Sequence, residues 1–516
     1  MEQGNAGQVK KSGSSQLKVG IVISYFTLFV GNIIPILYTP YVIGKLGVDE
    51  YGVYSLAKSF ALYFGLMSLG VGGAVLKFVN QAVAENDSRA RDNIFTIFTC
   101  VYSVISLAVL LCGGGLSVYS GRIFGGISDN LDVTLQVLIG AVTLNTALSM
   151  FFGLYGAVVH SHHKFIFYKT LGALATLAAP ALSALVLWFG YRSVAMMCVA
   201  VFLTLLFGVA QIFYVHRVLG VHFCFGRIDW GPLRSVFHFS KYLFLGAIAT
   251  VLYDATDKVI LGMYANAAAV AVYSVGAMLS MYTATLARGV SDLLFPKINT
   301  MVARGVAISE VEALMLKVGR LQYVILGYLL CGFILFGDRF IFLWVGDEFN
   351  SAYWIALLIM VPMSVPRLQS CGVSFLMAMN RHGFRAWMFC ALAVINVFAS
   401  LWAVRQWGGI GCAAVTGISS LVGPGLIMNV YYRIKIGLDI ATFWKGIINM
   451  SFAFIVILAG GLLLKPYLTI DRWSSLLIAG SCYTAFYFLL LWFRGLNLYE
   501  KNLIIGLAAK VTSRLR

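Results

Sequence analysis

Long apolar runs separated by short polar connectors repeat along the whole chain. The hydrocarbon core of a bilayer is about 30 Å thick. A helix rising about 1.5 Å per residue therefore needs about 20 mainly apolar residues to cross it. On that rule the pattern predicts fourteen spanning helices. Six fall at 19–43, 53–79, 93–118, 133–159, 168–189 and 194–215. Six more fall at 240–263, 268–295, 314–336, 352–379, 386–404 and 411–432, and the last two at 443–464 and 474–493. The stretch "FIFLWVGDEF", ending at Phe349, is too short to cross and is expected at the surface.

Composition narrows the class. The chain is 60% hydrophobic and 11% charged, with a mean hydropathy of +0.88, whereas soluble domains carry about a quarter charged residues. An all-α polytopic membrane protein is the class that fits. The first apolar run is longer than that of a signal peptide, so it reads as the first span, with residues 1–18 as a cytoplasmic tail. Charge sets the orientation. Lys and Arg number 26 in the N-terminus, the loops on its side and the basic tail 494–516, against 7 in the opposite loops. Basic residues accumulate on the cytoplasmic side, so a multi-pass protein of the cell (inner) membrane with both termini cytoplasmic is expected. The anionic inner leaflet then accounts for most of the net charge of +17 without nucleic acid.

Catalytic chemistry finds no support. The loops are too short to build an extracytoplasmic cleft, and no H-E-x-x-H, G-x-S-x-G or Walker A pattern occurs. The expectation is a protein that is not an enzyme and has no cofactor. The nine cysteines form no C-x-x-C pair and read as inert thiols. "HSHHK", His160 to Lys164, reads as a solvated loop rather than a metal site.

One pattern recurs. "LYTPYVIGKLGVDEYGVYSLAKS" begins at Leu37 and "LYDATDKVILGMYANAAAVAVYSVGAMLS" at Leu252. Each runs from LY through a span end and a short loop to VYS, with spacings that differ by four residues. The match relates spans one and two to spans seven and eight, in the same direction. Parallel repeats of this kind build transporters with the substrate between the halves. The expected organisation is two six-helix bundles, 19–218 and 235–432, with two additional helices over 443–493.

Ionisable residues inside the spans carry the functional reading. Those singled out are Lys58, Asp254, Asp257, Lys258, Arg288, Asp292 and Arg367. Each costs about 2.5–3.5 kcal/mol on insertion if it meets lipid, so a partner or a wet cavity is expected. Asp254 and Asp257 share a helix face, and Asp254 can pair with Lys258 four residues on. That leaves Asp257 without an assigned partner and makes it the first candidate for an ion-coupling or gating acid, followed by Asp254 and Asp292. Lys58 and Lys258 lie near outer span ends, where they can also snorkel. Arg288 and Asp292 repeat the four-residue spacing deeper in span eight. Arg367 follows Pro362 and Pro366, which break a span and free carbonyls that are tolerated where they line a cavity. Pro35 and Pro40 bend span one, and these four prolines are the candidate hinges. Guanidinium groups bind phosphate through paired hydrogen bonds. Arg288 and Arg367, with Lys58 and Lys258, are thus expected to hold a diphosphate in a cationic cavity. The acids would hold the arginines in place or take up a proton or sodium ion that drives the cycle.

Two segments carry a resemblance. "YTPYVIGKLGVDEYGVYSLAKSFALYFGLMSLGVGGAVLKFV", from Tyr38 to Val79, resembles the opening of the polysaccharide transporter family, the Wzx-type lipid-linked oligosaccharide (O-antigen) flippases. "DKVILGMYANAAAVAVYSVGAM", from Asp257 to Met278, resembles that family's seventh and eighth spans. The wider MOP superfamily includes lipid II flippases and the multidrug and toxin (MATE) extruders. The resemblance implies two six-helix bundles around a central cationic cavity that works by alternating access. It implies as substrate an undecaprenyl-diphosphate-linked glycan turned from the cytoplasmic to the outer leaflet, its tail staying in the bilayer. Spans thirteen and fourteen would help form a groove for that tail. A polymerase and a chain-length regulator are the implied assembly partners. One departure matters: span one, arginine-rich in lipid II flippases, has no basic residue between Val19 and Ile43. That argues for a glycan other than lipid II. The alternatives are a cation or drug antiporter of the same superfamily, or a membrane enzyme of surface polysaccharide assembly.

Overall fold

Backbone groups that cross hydrocarbon must bond to one another, and a helix achieves this within one segment. In the computed structural model the chain is accordingly helical, with no strand among the described residues. Those are residues 2–506 apart from 69–74, 76–77, 83–84, 86, 163, 224–230, 293, 380, 499 and 503–504; of 2–22, 25, 231–243, 290, 292 and 295 only the backbone is described.

The chain forms two compact units, Met1–Ser274 with Ala393–Gly409, and Val275–Leu392 with Ile410–Arg516. Unit one contains α1 (Glu2–Leu46), α2 (Val48–Leu66), α3 (Ser88–Ile123), α4 (Asp129–Ser161), α5 (Phe165–Trp188), α6 (Ser193–Phe213) and α7 (Gly231–Tyr264). It also takes the start of α8 (Ala267–Asp292) and the middle of α13 (Gly383–Ser420). Unit two holds the rest of α8 and of α13, with α9 (Phe295–Ala303), α10 (Ile308–Val345), α11 (Ser351–Leu368) and α12 (Ser370–Ala378). It ends with α14 (Met428–Tyr431), α15 (Ile440–Leu464) and α16 (Trp473–Leu490).

Eleven helical stretches among the described residues are long and apolar enough to cross a membrane. One of them, Gly383–Ile436, is 54 residues long, far beyond the about 20 that one crossing needs. Gly408 breaks it, with φ 56° and ψ −136°, a conformation that a residue without a Cβ adopts at little cost. The break separates the predicted spans 386–404 and 411–432. Helix α7 runs over the predicted crossing 240–263 and α2 over the first part of 53–79, so a count of about fourteen is roughly consistent.

Two local expectations change. "FIFLWVGDEF" is not a separate surface segment. Nothing before Gly346 interrupts α10, which runs unbroken to Val345, and Ile341, Trp344 and Phe349 are buried. Gly346, at φ 97°, ends the helix. The connector after α8 also contains a short helix, α9, that the apolar pattern did not reveal.

The echoed segments each fold as helix, tight turn, helix, and in unit one they pack on each other. Gly52 on α2 lies so close to α8 that a Cβ there would sit 1.9 Å from the Ala267 carbonyl oxygen. A Cβ on Gly262 would sit 2.6 Å from Leu56 Cδ2, and Tyr63 Oη meets Thr256 Oγ1 at 2.6 Å. The partner number falls as the α2 number rises, so α2 runs antiparallel to α7. Small residues let helix backbones approach where no water is available to drive association. Buried Glu50, in the first turn of α2, closes the start of α6: it accepts from Ser193 N–H at 3.0 Å, Ser193 Oγ at 2.6 Å and Arg192 Nη1 at 2.6 Å. A carboxylate complements the positive end of a helix dipole.

In unit two, α15 and α16 pack on α10 through tyrosines whose hydroxyls all find partners. Tyr323 donates to Ser451 Oγ at 2.7 Å, Tyr483 to the Tyr328 carbonyl at 2.6 Å and Tyr487 to the Val324 carbonyl at 3.1 Å. Their rings supply apolar area while the hydroxyls remain satisfied.

Candidate functional site

Helix α7 separates the ionisable residues of "YDATDKVILG". Three positions along a helix turn the side chain by about 300°, leaving a 60° offset. Asp254 is exposed, whereas Asp257 is 1% exposed. The expected shared face thus divides into a sealed position and an open one. Asp257 is not left without a partner either. Tyr273 Oη from α8 donates to its Oδ2 in a short hydrogen bond, and Ser400 Oγ from α13 donates to its Oδ1 at 3.0 Å. With Tyr63 on Thr256 next door, four helices of unit one converge on two consecutive residues. Sequence separations of 16 and 143 residues hid these donors from any local reading. Lys258 is half-buried and lies within electrostatic reach of Lys58 and Asp254. Lys58 is exposed, with Nζ 5.2 Å from the Tyr54 ring centre.

A second polar node lies in unit two. On α8, Ser280, Thr283, Ala287 and Ser291 recur at helical spacing and are all buried, forming one stripe. Arg367, at the end of α11, donates from Nη1 to Thr283 Oγ1 at 2.9 Å and from Nη2 to the Ser280 carbonyl at 3.3 Å. Further along, fully buried Gln322 of α10 donates to the Ala287 carbonyl at 2.9 Å, Ser291 Oγ at 2.7 Å and Ser370 Oγ at 2.8 Å. Pro362 and Pro366 lie inside α11, which ends at Leu368, and α12 restarts at Ser370. Between them, buried Gln369 donates to Asn429 Oδ1, which also accepts from Trp444 Nε1 at 3.3 Å. The interruption of span ten is thus filled with amide and hydroxyl partners.

Arg288 is exposed on α8, one residue from buried Ala287. The Asp292 side chain lies outside the described residues. Pro35 and Pro40 lie inside α1, where Thr39 Oγ1 donates back to the Pro35 carbonyl at 2.7 Å, an arrangement that bends helices. Sequence reasoning missed Gln322, Gln369 and Ser370, which are uncharged. The signal available was polar residues at three- and four-residue spacing along α8. It also missed Arg320, inside span nine. Arg320 Nε donates to Glu500 Oε1 at 2.6 Å, and its other nitrogens to the Gly446 and Gly495 carbonyls, each at 3.0 Å. No group of three or more His, Cys, Asp or Glu that could hold a metal occurs among the described residues.

The family model of "Polysaccharide biosynthesis protein" matches residues 17–301. A probable flippase, AglR, from Haloferax volcanii is 23% identical over 438 residues, covering 81% of this chain and 83% of its own length. A putative O-antigen transporter from Shigella flexneri is 20% identical over 400 residues, 75% of this chain and 91% of that one. Among solved structures, the lipid II flippase MurJ in an inward closed conformation gives a TM-score of 0.71 at 13% identity, covering 94% of this chain and 99% of that one. An inward-facing MATE family transporter of the MOP superfamily gives 0.58 at 12% identity, with 81% and 99% covered. At such identities these structures speak for the fold alone, an all-α MATE/MOP-like arrangement. The family match runs over more than half of the sequence and contains the echoed segments with Asp257 and Tyr273, and this chain belongs to the polysaccharide biosynthesis protein family.

Proposed function

We propose that this multi-pass membrane protein is a flippase that moves a polyprenyl-diphosphate-linked oligosaccharide, a repeat unit of O-antigen or another surface polysaccharide, from the cytoplasmic to the outer leaflet. The observation that carries the reading is the family match, joined by relatives that are themselves named as flippases or O-antigen transporters. The protein acts by transport, not by making or breaking bonds in the glycan. It sits in the cell (inner) membrane with both termini cytoplasmic, the side on which its basic loops accumulate. The polymerase and chain-length regulator of the same assembly route are its partners.

In this reading Arg367 and Arg288 contact the diphosphate, and Lys58 and Lys258 supply positive charge in the other unit. Arg367 is suited to the task because Thr283 and Ser280 hold its guanidinium in one orientation, and an oriented fork loses less freedom on meeting phosphate. Pro362 and Pro366, with the break at Gln369, let α11 and α12 bend between states, and Pro35 and Pro40 do the same for α1. Asp257 is the gating acid. As a carboxylate it accepts from Tyr273 and Ser400; protonated, it would lose an acceptor and the three-helix junction would re-bond. Coupling to a proton or sodium ion acts through that change, with Asp254 and Asp292 as the further candidate acids.

The test is flipping in proteoliposomes that contain a fluorescent polyprenyl-diphosphate oligosaccharide, with an added quencher reporting its leaflet. Wild type is expected to flip, and Arg367→Ala and Arg288→Ala to lose most of the rate. Absence of flipping by wild type under every imposed proton or sodium gradient would overturn the substrate class.

A further inference from the structure

The connector between α8 and α10 holds a feature that none of these roles uses. Helix α9 ends at Ala303 with Arg304 as its C-cap, and Gly305 turns the chain at φ 64°. Val306 N–H then donates to the Met301 carbonyl at 3.2 Å, which closes the end of α9 before α10 starts at Ile308. Lys297, Met301 and Arg304 fall four and three residues apart, as do Glu310, Leu314 and Lys317 on α10, so each set shares one helix face. The two faces line a cavity of about 440 Å³. Its charged lining is three cations against one carboxylate, over an apolar floor. A second cavity of about 450 Å³ opens from Val302, the residue after Met301, and is lined by Phe375, Met379 and Ile436 with Arg381. A cationic chamber thus adjoins an apolar one across two consecutive residues of α9.

We propose that this pair of cavities binds an anionic phospholipid of the surrounding bilayer, with the phosphate among Lys297, Arg304 and Lys317 and an acyl chain along the apolar cavity. The charge balance selects an anion, and basic pockets beside membrane helices receive lipid headgroups. The adjoining apolar lining selects an amphiphile over free phosphate. The site lies wholly within unit two and requires no transport step, so it stands or falls separately from the flippase reading.

The full chain, purified in detergent, would be titrated by native mass spectrometry with phosphatidylglycerol and with phosphatidylcholine of matched chains. Thermal unfolding would be followed in parallel with the same lipids, inorganic phosphate and a polyprenyl diphosphate. Phosphatidylglycerol is expected to bind the more tightly. At about 1 kcal/mol per basic residue, the double variant Lys297→Gln/Arg304→Gln should lose about thirty-fold in that affinity. Both residues are exposed, so circular dichroism should confirm an unchanged fold. Met379→Glu should weaken the lipid while leaving any effect of inorganic phosphate alone. Equal binding of the two phospholipids, or a preference that survives the double variant, would overturn the site. Protection by inorganic phosphate equal to that by lipid would reduce it to a simple anion site and overturn the lipid assignment. Preferential binding of the polyprenyl diphosphate, lost in the double variant, would assign the cavities to the transported substrate instead.

Discussion

The two polar nodes bury hydrogen-bonding groups in contrasting surroundings. Around Asp257 the helices are closely packed: Gly52 and Gly262 let α2 approach the α7–α8 turn, and hydroxyls from two other helices seal the carboxyl. Around Arg367 the helix itself is broken. Two prolines and the gap at Gln369 interrupt the run of α11 into α12, and amide and hydroxyl side chains bond to one another beside it. A charge in the first setting changes state only if packed helices re-bond. In the second, the guanidinium is held by Thr283 and Ser280 near the end of a helix that is interrupted at Gln369. The proposed function assigns gating to the first arrangement and substrate contact to the second. Such a division of labour costs each region something different, tolerance to added volume in one and tolerance to lost polar partners in the other.

The largest test of the comparison adds volume. Gly52→Ala places a methyl 1.9 Å from the Ala267 carbonyl oxygen, so helices must part, with an expected loss of about 3 kcal/mol. Gly289, near the second node, has nothing within 4 Å of an added Cβ. Gly289→Ala should be neutral or stabilise by up to about 1 kcal/mol. Thermal unfolding of the two variants side by side reads the contrast, and equal values would erase it. Next in size is the loss of polar partners. Gln322→Leu removes a buried donor to three oxygens and should cost about 2 kcal/mol, measured by denaturant unfolding; a neutral result would mean that the α8 stripe does not depend on that amide. Asp257→Asn keeps the shape and one acceptor oxygen, while the Ser400 hydroxyl can turn to accept. Its stability cost should be about 1 kcal/mol, with flipping no longer responding to ion gradients. Full transport at every imposed gradient would remove Asp257 from coupling.

The smallest effect lies outside the spans. Asp439 caps α15, and the Thr442 hydroxyl, then the Thr442 backbone N–H, hold its carboxyl below the usual 3.8. A lowered folded pKa makes a contribution that is present at neutral pH and fades as pH falls below that value. Hydrogen exchange in the first turn of α15 should therefore quicken below about pH 3.8 in wild type, and Asp439→Asn should show no such step.

Much of this was legible in the chain. The spans follow from apolar run length, which only the bilayer thickness has to interpret. The echo at Leu37 and Leu252 marked the helix pairs that pack on each other in unit one. The polar break at Pro362 and Pro366 was visible because proline lacks an N–H and cannot continue a helix's bonding. The partners were not visible. Tyr273 and Ser400 look like ordinary span residues until they meet Asp257, and Gln322 carries no charge to draw attention. Arg320 lies close to an end of its span, and its partners, Glu500 and the Gly446 and Gly495 carbonyls, lie 126 to 180 positions further along the chain.

The sequence by itself determined that the protein is helical, that it crosses the membrane about fourteen times, and that its charge is concentrated in the loops on one side. Those properties depend on hydrophobic length and charge count, which are sums over neighbouring residues. Only the tertiary structure decided which of two aspartates three residues apart is sealed and which is exposed. It also decided which hydroxyls bond the buried carboxylate and where a short helix lines an open cationic cavity. Those outcomes depend on contacts between residues 16 to 143 positions apart, and on the turn at Gly305, where a left-handed backbone conformation redirects the chain.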